Sequence, residues 1–589
     1  MVGWGLIAAA VLCLLVGAAT ALLLGPDNRA RSDPQDLGTG ATVAVTAPGA
    51  LALSGPTVRI EAALPDDRPV FVGIGNAVDV SDYTDGVAAL VVDDIDVPLD
   101  VSTDEVDGAP ALPAGPSSLD WWLASGEGDG AATLSTELPS APAQLLVAAA
   151  DGGDLEGLEV VAAYELDGGF GVGLGLVGLA VGLALFGWIA LRRGAADRDD
   201  EWGAADDGDN SGAAAGDSDG DDHADADGGA DGGADGGADG GADGGDAPRG
   251  TGTGRATAAP APPRAGRIRR TALCLGVGLS LLGASSGCAV PTPVGDDPVK
   301  TAITRSEADE VLSRWAEQRA ESLRVLHAGP LGSVEAGDTL AIDRGALQVA
   351  RRLLEQGSQD VTQQLELRTV ISPRLSSYPL WFVAVVDDGQ RGLTKVQVHR
   401  RARAADPWQL VSTAEVLPST QLPELSLDEN SALQPVEPDE SAGLVGSPQQ
   451  VADAYGALLD EAEVGDDDLV LVDSFVQQMR AVAQTQAAID GVRFSQSWQA
   501  EDVEWAARTA DGGALVFATM ARSDSYQIDR GTAVDWQQGS EQAAFLSGRV
   551  YTSAVLRYRH QVLLYVPPEG GGQVRALGQY GGVVSASGT

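Results

Sequence analysis

The sequence predicts a multidomain membrane protein with an all-β, sandwich-like outer domain, a disordered acidic cytoplasmic linker and tandem α+β units toward the C-terminus. Three observations predict it. Apolar segments at 3–25, 170–191 and 271–288 divide the chain; short β-prone runs separated by Gly, Pro and Asp fill 41–168; and after residue 303 a helix-patterned stretch followed by strand-patterned runs occurs twice. A chain of 589 residues is too long for one ordinary domain. Its 37 Lys+Arg against 85 Asp+Glu give a formal charge of −48, which argues against nucleic acid as a partner, because phosphate binding needs a basic face. Lys300 and Lys395 are the only lysines, so arginine carries nearly all the positive charge.

Residues 3–25 carry no charge, and at ~1.5 Å per residue they make a helix of ~34 Å, enough for the ~30 Å hydrocarbon core. A cleaved signal peptide is the competing reading, since Ala19-Thr20-Ala21 has a small-x-small form, but Leu22, Leu23 and Leu24 follow it within the apolar run. An uncleaved anchor is expected. Phe170–Leu191 is uncharged and ends at Arg192-Arg193. Its pairs Gly171/Gly175 and Gly178/Gly182 have small-xxx-small spacing, read as ordinary membrane-helix glycine rather than a packing motif.

The third segment, Thr271–Ala284, is too short to span comfortably. Arg264, Arg267, Arg269 and Arg270 precede it and Ser285-Ser286-Gly287-Cys288 follow. A basic region, a short apolar core and a small residue before cysteine form the layout of a bacterial lipoprotein signal, with Cys288 as the lipidation candidate. Ser285 stands where that signal usually has leucine; the alternative is a short uncleaved membrane helix. Arginine placement sets orientation: Arg192, Arg193, Arg267, Arg269 and Arg270 hold both ends of 194–270 inside, giving an inside, outside, inside, outside path and a multi-pass protein of the cell membrane.

Residues 194–247 hold 17 Asp and one Glu against Arg198, a composition unable to bury enough apolar surface to offset chain entropy. Residues 248–270 then carry six arginines and no acid. The tract is read as a solvated tether whose basic end can rest on anionic lipid.

In 41–168, the runs Thr57–Glu61, Val70–Ile74 and Gln144–Val147 read as strands. The block Pro69-Val70-Phe71-Val72-Gly73-Ile74-Gly75, then Val80, Tyr83, Gly86, Val87 and Trp121-Trp122, resembles the extracytoplasmic domain of uncharacterised actinobacterial membrane proteins. That group brings no activity to carry over. Phe71, Tyr83 and Trp122 are expected in the sandwich core and at its edge. Gly73 and Gly75 are read as strand glycines with no helix after them, which excludes a phosphate loop.

Residues 303–418 open with a helix capped by Ser306, with Ala308, Leu312, Trp315, Leu323 and Leu326 as its apolar stripe and Arg319 interrupting it. A helix near Arg344–Glu355 and strands Leu365–Ile371, Leu380–Val386, Thr394–His399 and Trp408–Thr413 complete the first unit. After the Pro- and Glu-rich linker 419–446, residues 447–585 repeat the plan. Ser447, Pro448 and Gln450 form a capping box, followed by helices at 448–462 and 468–487. Strands are read at Val492–Trp498, Val503–Ala507, Leu515–Ala521, Arg549–Arg557, Gln561–Val566 and Gln573–Gly578. The order resembles cone-shaped NTF2-like or cystatin-like folds and the C-terminal region of actinobacterial lipoproteins of unknown function.

No catalytic motif appears. The three cysteines, Cys13, Cys274 and Cys288, lie in or beside apolar stretches, which leaves no thiol nucleophile or Cys-based zinc site in a globular part. His327, His399 and His560 have no ligand-spaced neighbours, and two G-x-S-x-G matches, at Gly216–Gly220 and Gly283–Gly287, lack the strand–turn–helix setting of a nucleophile elbow. Asp466-Asp467-Asp468 is read as helix N-terminal charge rather than a cation site. Trp381, Trp408, Trp498, Trp505 and Trp536 are expected as core or cleft lining. No catalytic, cofactor-binding or metal-binding residue is assigned, and no cofactor is expected. The expectation is a non-enzymatic, membrane-anchored envelope protein whose outer domains bind a protein, wall or lipid partner. An envelope enzyme with a pocket in a cone-shaped unit and a membrane signal transducer are the alternatives.

Overall fold

A computed structural model describes residues 2–51, 53–54, 57–96, 100–165, 168–201, 292–293, 298–354, 365–389, 391–417, 420–429, 431–460, 469–532, 536, 540–546 and 551–589. Cys288, Arg267, Arg269, Arg270, the linker from residue 202, the third apolar segment and the Asp466–Asp468 cluster lie outside these residues, as do the side chain of Arg193 and His223.

The chain divides into two units: Met1–Leu22 with Gly168–Cys288, and Leu23–Asp167 with Ala289–Thr589. In the first, helices Val2–Leu24 and Gly169–Glu201 contain the two stretches, Trp4–Leu24 and Gly169–Arg192, long and apolar enough to cross a membrane. They touch through small residues. A Cβ on Gly17 would lie 2.7 Å from the Gly173 carbonyl oxygen, and one on Gly173 would meet Ala21. Gly171, Gly175, Gly178 and Gly182 have nothing within 4 Å of a built Cβ, so the small-xxx-small pairs are not the contact. The Arg192 guanidinium stacks 3.9 Å from the Trp188 ring at the helix end.

The second unit begins with the expected sandwich. One sheet runs Arg29–Arg31, Glu159–Glu165, Thr57–Ala63, Ala131–Glu137, with Gln35–Asp36 also on Glu159–Glu165; the fold therefore starts before residue 41. The other runs Asp100–Val106, Ala89–Asp96, Val43–Thr46, Ala143–Ala149, Pro69–Asn76, Ala124–Asp129. Val58, Ile60, Leu134, Val72, Ile74 and Val147 fill the space between them. The second sheet is buried on both faces, because Val43, Phe71, Leu146 and Ala148 pack outward against Val80, Tyr83 and Trp121. Double burial explains why Val70–Ile74 is a continuous apolar run rather than an alternating one. It also explains the glycines: a Cβ on Gly73 would come within 2.7 Å of Trp122, and one on Gly75 within 2.7 Å of Trp121. The indoles need that space.

One expectation fails here. A helix, Ala77–Thr84, does follow the glycine run, capped by the Asn76 side chain, which accepts from Val78 N at 2.9 Å. It makes no phosphate loop, since Gly73 and Gly75 are within the strand and the buried carboxylate Asp79 occupies the first turn.

The tandem α+β units are one structure. Strands Leu365–Ile371, Leu380–Asp388, Leu393–Arg401 and Gln409–Val416 form an antiparallel meander that joins Arg575–Gly588, Ser553–Val566, Ala514–Ile528 and Val492–Ala500 in a single sheet, with Trp505–Arg508 also on Ala514–Ile528. The join is Glu415 opposite Gln579 and Val416 opposite Gly578. Two separate cone-shaped units are thus replaced by a shared sheet, its halves joined by the last strand. The runs expected at Arg549–Arg557 and Gln561–Val566 fall on one strand, Ser553–Val566, carried through Tyr558–His560 by pairing with Ala514–Ile528; residues 549 and 550 lie outside the described residues. Helices Arg305–Val325, Gly337–Leu354, Pro448–Asp460, Ser474–Ala487 and Glu541–Leu546 are the C-terminal helices among the described residues. Thr304, not Ser306, caps the first of these, in a reciprocal box with Glu307. The second starts at Gly337, seven residues before the expected Arg344, with the charged Asp338 and Asp343 in its opening turns. The Ser447–Gln450 box forms as expected, at 3.2 and 3.3 Å.

Candidate functional site

Strand alternation sends neighbouring residues of the large sheet to opposite faces. Leu380, Phe382, Ala384 and Val386 turn toward helix Arg305–Val325, with Ala308 and Leu312. Val516, Ala518, Met520 and Leu564 do the same toward Pro448–Asp460 and Ser474–Ala487. Trp381, Val383, Val396, Val398, Leu515 and Phe517 turn the other way. Each face carries a distinct site.

The outward face is crossed by the segment after residue 419, which is strapped down rather than free. Leu433 N donates to Ser372 O at 3.0 Å, Ser426 N to Arg508 O at 2.8 Å and Val436 N to Ala506 O at 3.0 Å. Beneath the strap is a cavity of about 460 Å³, walled by residues of five strands and roofed by Leu422, Leu425 and Leu427. Trp381 and Trp505 meet edge to face there, ring centres 5.2 Å apart. Arg368 and Glu424 are the charged residues of the lining, both solvent-exposed, and Arg368 is held by Asp387 at 2.7 Å. Volume and lining fall within the ordinary range of small-molecule pockets, about 300–1,000 Å³ and predominantly apolar.

Between its two apolar clusters the helix-bearing face carries a polar one. Arg319 points from its helix into a buried cluster: it pairs closely with Asp343 and lies 3.7 Å from Glu335, whose Oε1 also accepts from Trp315 Nε1 at 2.8 Å. Tyr580 OH donates to Asp343, and Lys395 pairs with Asp388 at 3.2 Å. The interruption in the apolar stripe is therefore the centre of a charge network. Burial pushes the Glu335 carboxyl up to about 7, against the opposing pull of Arg319 and Lys395. Beside this cluster an open cleft of about 540 Å³ is lined by Phe475, Arg522, Glu541, Tyr558, His560 and Tyr580. Arg522 donates through Nε to Asp524 at 2.8 Å and stacks over the Tyr558 ring at 4.2 Å.

The three described histidines do not come together. His399 is fully buried, stacked on Phe382 at 4.9 Å, and burial lowers its pKa to about 3. His560 lines the cleft beside Trp498 and Phe475, and burial with the nearby Arg522 lowers it also to about 3. Both are neutral and weakly basic at pH 7, far from the near-neutral pKa that suits a general acid or base. His327 is exposed and its Nδ1 accepts from Gly329 N at 3.0 Å. Among the described residues, no group of three or more His, Cys, Asp or Glu side chains is arranged to hold a metal ion.

Of the flagged tryptophans, Trp381 and Trp505 line the apolar cavity, Trp408 packs on Phe382 in the core and Trp498 on Phe475. The strap residues Leu422, Leu425 and Leu427 escaped sequence reasoning. Their signal is leucine recurring in a segment otherwise rich in Pro and Glu.

Residues 299–588 match the family model described as Domain of unknown function (DUF8094). An uncharacterised lipoprotein of Streptomyces coelicolor is 24% identical over 331 residues, covering 56% of this chain and 98% of the relative. No solved structure matches.

Proposed function

We propose that this chain is a non-enzymatic, membrane-anchored cell-envelope protein that holds one lipid acyl chain in the cavity beneath the 422–427 strap. The observation that carries the reading is that cavity: about 460 Å³ of space walled by Trp381, Val383, Val396, Val398, Trp505 and Phe517. Apolar cavities of about 150 Å³ already stay dry and take up small hydrocarbons, so a larger one with these walls favours an apolar occupant over water. The membrane setting rests on the two apolar helices and on the lipoprotein relative. The arginine pattern adds a multi-pass path with the sandwich and residues 289–589 outside. The neutral, weakly basic His399 and His560 weigh against the enzyme alternative.

Titration of the purified full-length protein with a dansyl-labelled fatty acid tests the reading. Energy transfer from Trp381 and Trp505 with a blue-shifted dansyl emission is expected, and both should vanish in Val385→Trp, which fills the cavity from its half-buried end. Equal dansyl binding by the parent and Val385→Trp would overturn it.

A further inference from the structure

The sandwich and the C-terminal domain meet around one short helix, although the residues in contact are far apart in the chain. On helix Ala77–Thr84, Val78 enters the apolar cluster of Ala302, Ile303, Leu312 and Phe382. In return, Ala404 of the C-terminal domain enters the cluster of Phe71, Tyr83 and Trp121. Polar contacts surround these two insertions. The fully buried Asp79 carboxylate pairs with Lys300 Nζ at 2.5 Å and accepts from Tyr378 OH at 2.7 Å. Asp82 accepts from Ala404 N at 2.7 Å and faces Arg403 at 3.5 Å. Asp120 accepts from Arg401 at 2.6 Å, and Trp121 Nε1 donates to Ala404 O at 2.9 Å. Strand Thr292–Pro293 adds a short pairing to Leu53–Ser54.

The charges are sorted. In these ion pairs every carboxylate (Asp79, Asp82, Asp120) belongs to the sandwich, and every cation (Lys300, Arg401, Arg403) to the C-terminal domain. Lys300 is one of only two lysines in the chain, and it lies 221 residues from its partner. Apolar insertion in both directions, ringed by complementary charge, is the anatomy of a specific protein–protein interface. A buried Asp79 is tolerable only with both of its partners in place.

We infer that the C-terminal domain recognises the acidic helix of the sandwich as a binding partner in its own right, independently of the covalent link. The partner that the Lys300–Tyr378–Arg401–Arg403 face fits is a chain presenting an Asp79/Asp82/Asp120 surface, here supplied by the same polypeptide. Cutting the chain between 202 and 291 then leaves two pieces that stay bound, so processing at Cys288 would keep the released fragment on the membrane-embedded one.

The test uses the full-length protein in detergent with a specific protease site inserted after Gly220. After cleavage, the fragments of the parent chain should co-elute on size exclusion. Asp120→Arg, which sets two guanidinium groups together at a half-exposed position, should weaken the association on the order of tenfold or more. Adding Arg401→Asp should restore it, and Asp79→Lys should release the fragments at micromolar concentration. Separation of the parent fragments would overturn the proposal. So would co-elution indifferent to both Asp79→Lys and Asp120→Arg, or a loss in Asp120→Arg that the double variant, with unchanged circular dichroism, does not reverse.

Discussion

The two faces of the C-terminal sheet use the same strands to opposite ends. On the helix-bearing face several polar groups pair with one another, Arg319 with Asp343, Tyr580 OH with Asp343 and Arg522 with Asp524, while the buried Gln397 amide and both His399 ring nitrogens have no hydrogen-bond partner among the described residues. On the strapped face the side chains are mainly apolar and leave about 460 Å³ between sheet and strap. The polar cleft, at about 540 Å³, is the larger of the two, yet it can fill with water at little cost because its walls hydrogen-bond. The strapped cavity has less to offer water, Arg368, Thr369 and Glu424 being the polar residues of a mainly apolar lining. Size therefore does not separate the two; what the walls can satisfy does.

The largest effect that would break this contrast lies on the polar face. Asp524→Ala leaves Arg522 buried without its partner, and should cost about 3–5 kcal/mol in denaturant unfolding. A loss below ~1 kcal/mol would mean that the pair is hydrated and the polar face is not self-sufficient.

A second, smaller effect separates the faces by pH. The Glu335 carboxyl is raised from 4.5 to about 7 in the folded protein, so the folded state binds the extra proton between those values. Its contribution is fully present below pH 4.5 and is lost as pH rises through about 7, a swing of about 3 kcal/mol. Glu335→Gln should therefore gain stability relative to the parent between pH 5 and pH 7, read as melting temperatures at the two values. His399 acts with the opposite sign: lowered from 6.5 to about 3, its contribution is lost as pH falls below 6.5, and it cancels in the comparison of the two proteins. A constant difference between variant and parent would remove Glu335 from the account.

The smallest effect belongs to the apolar face. Overfilling a well-packed core costs about 1–3 kcal/mol, but Val385→Trp grows into space and should change stability by less than ~1 kcal/mol while abolishing fatty-acid binding. A large loss of stability with binding intact would show that the cavity is closed in solution.

How much of this was legible in the sequence depended on whether the signal was local. Leu365–Ile371 is the strand expected, since a β-branched run bounded by polar residues needs no tertiary information. The capping box at Ser447 is local too. The helix at Ala77–Thr84 was missed because Val80 and Tyr83 were read within a β-domain; their three-residue spacing, after an asparagine cap, was the available clue. Arg319 looked like a flaw in an apolar stripe, because its partners Glu335, Asp343 and Tyr580 are brought in by other elements. The cavity was invisible for a similar reason: its walls were recognised as strands, but its roof sits in a Pro- and Glu-rich stretch that reads as linker. The closing of two expected units into one sheet depends on the short pairing of Glu415–Val416 with Gly578–Gln579, which no composition signals.

The most direct measurement of the central claim is a lipid count on protein purified from membranes in mild detergent, by native mass spectrometry followed by organic extraction. A single equivalent of an acyl-bearing lipid is expected on the parent chain and none on Val385→Trp. A parent chain that carries no lipid, or equal lipid on both proteins, would contradict it.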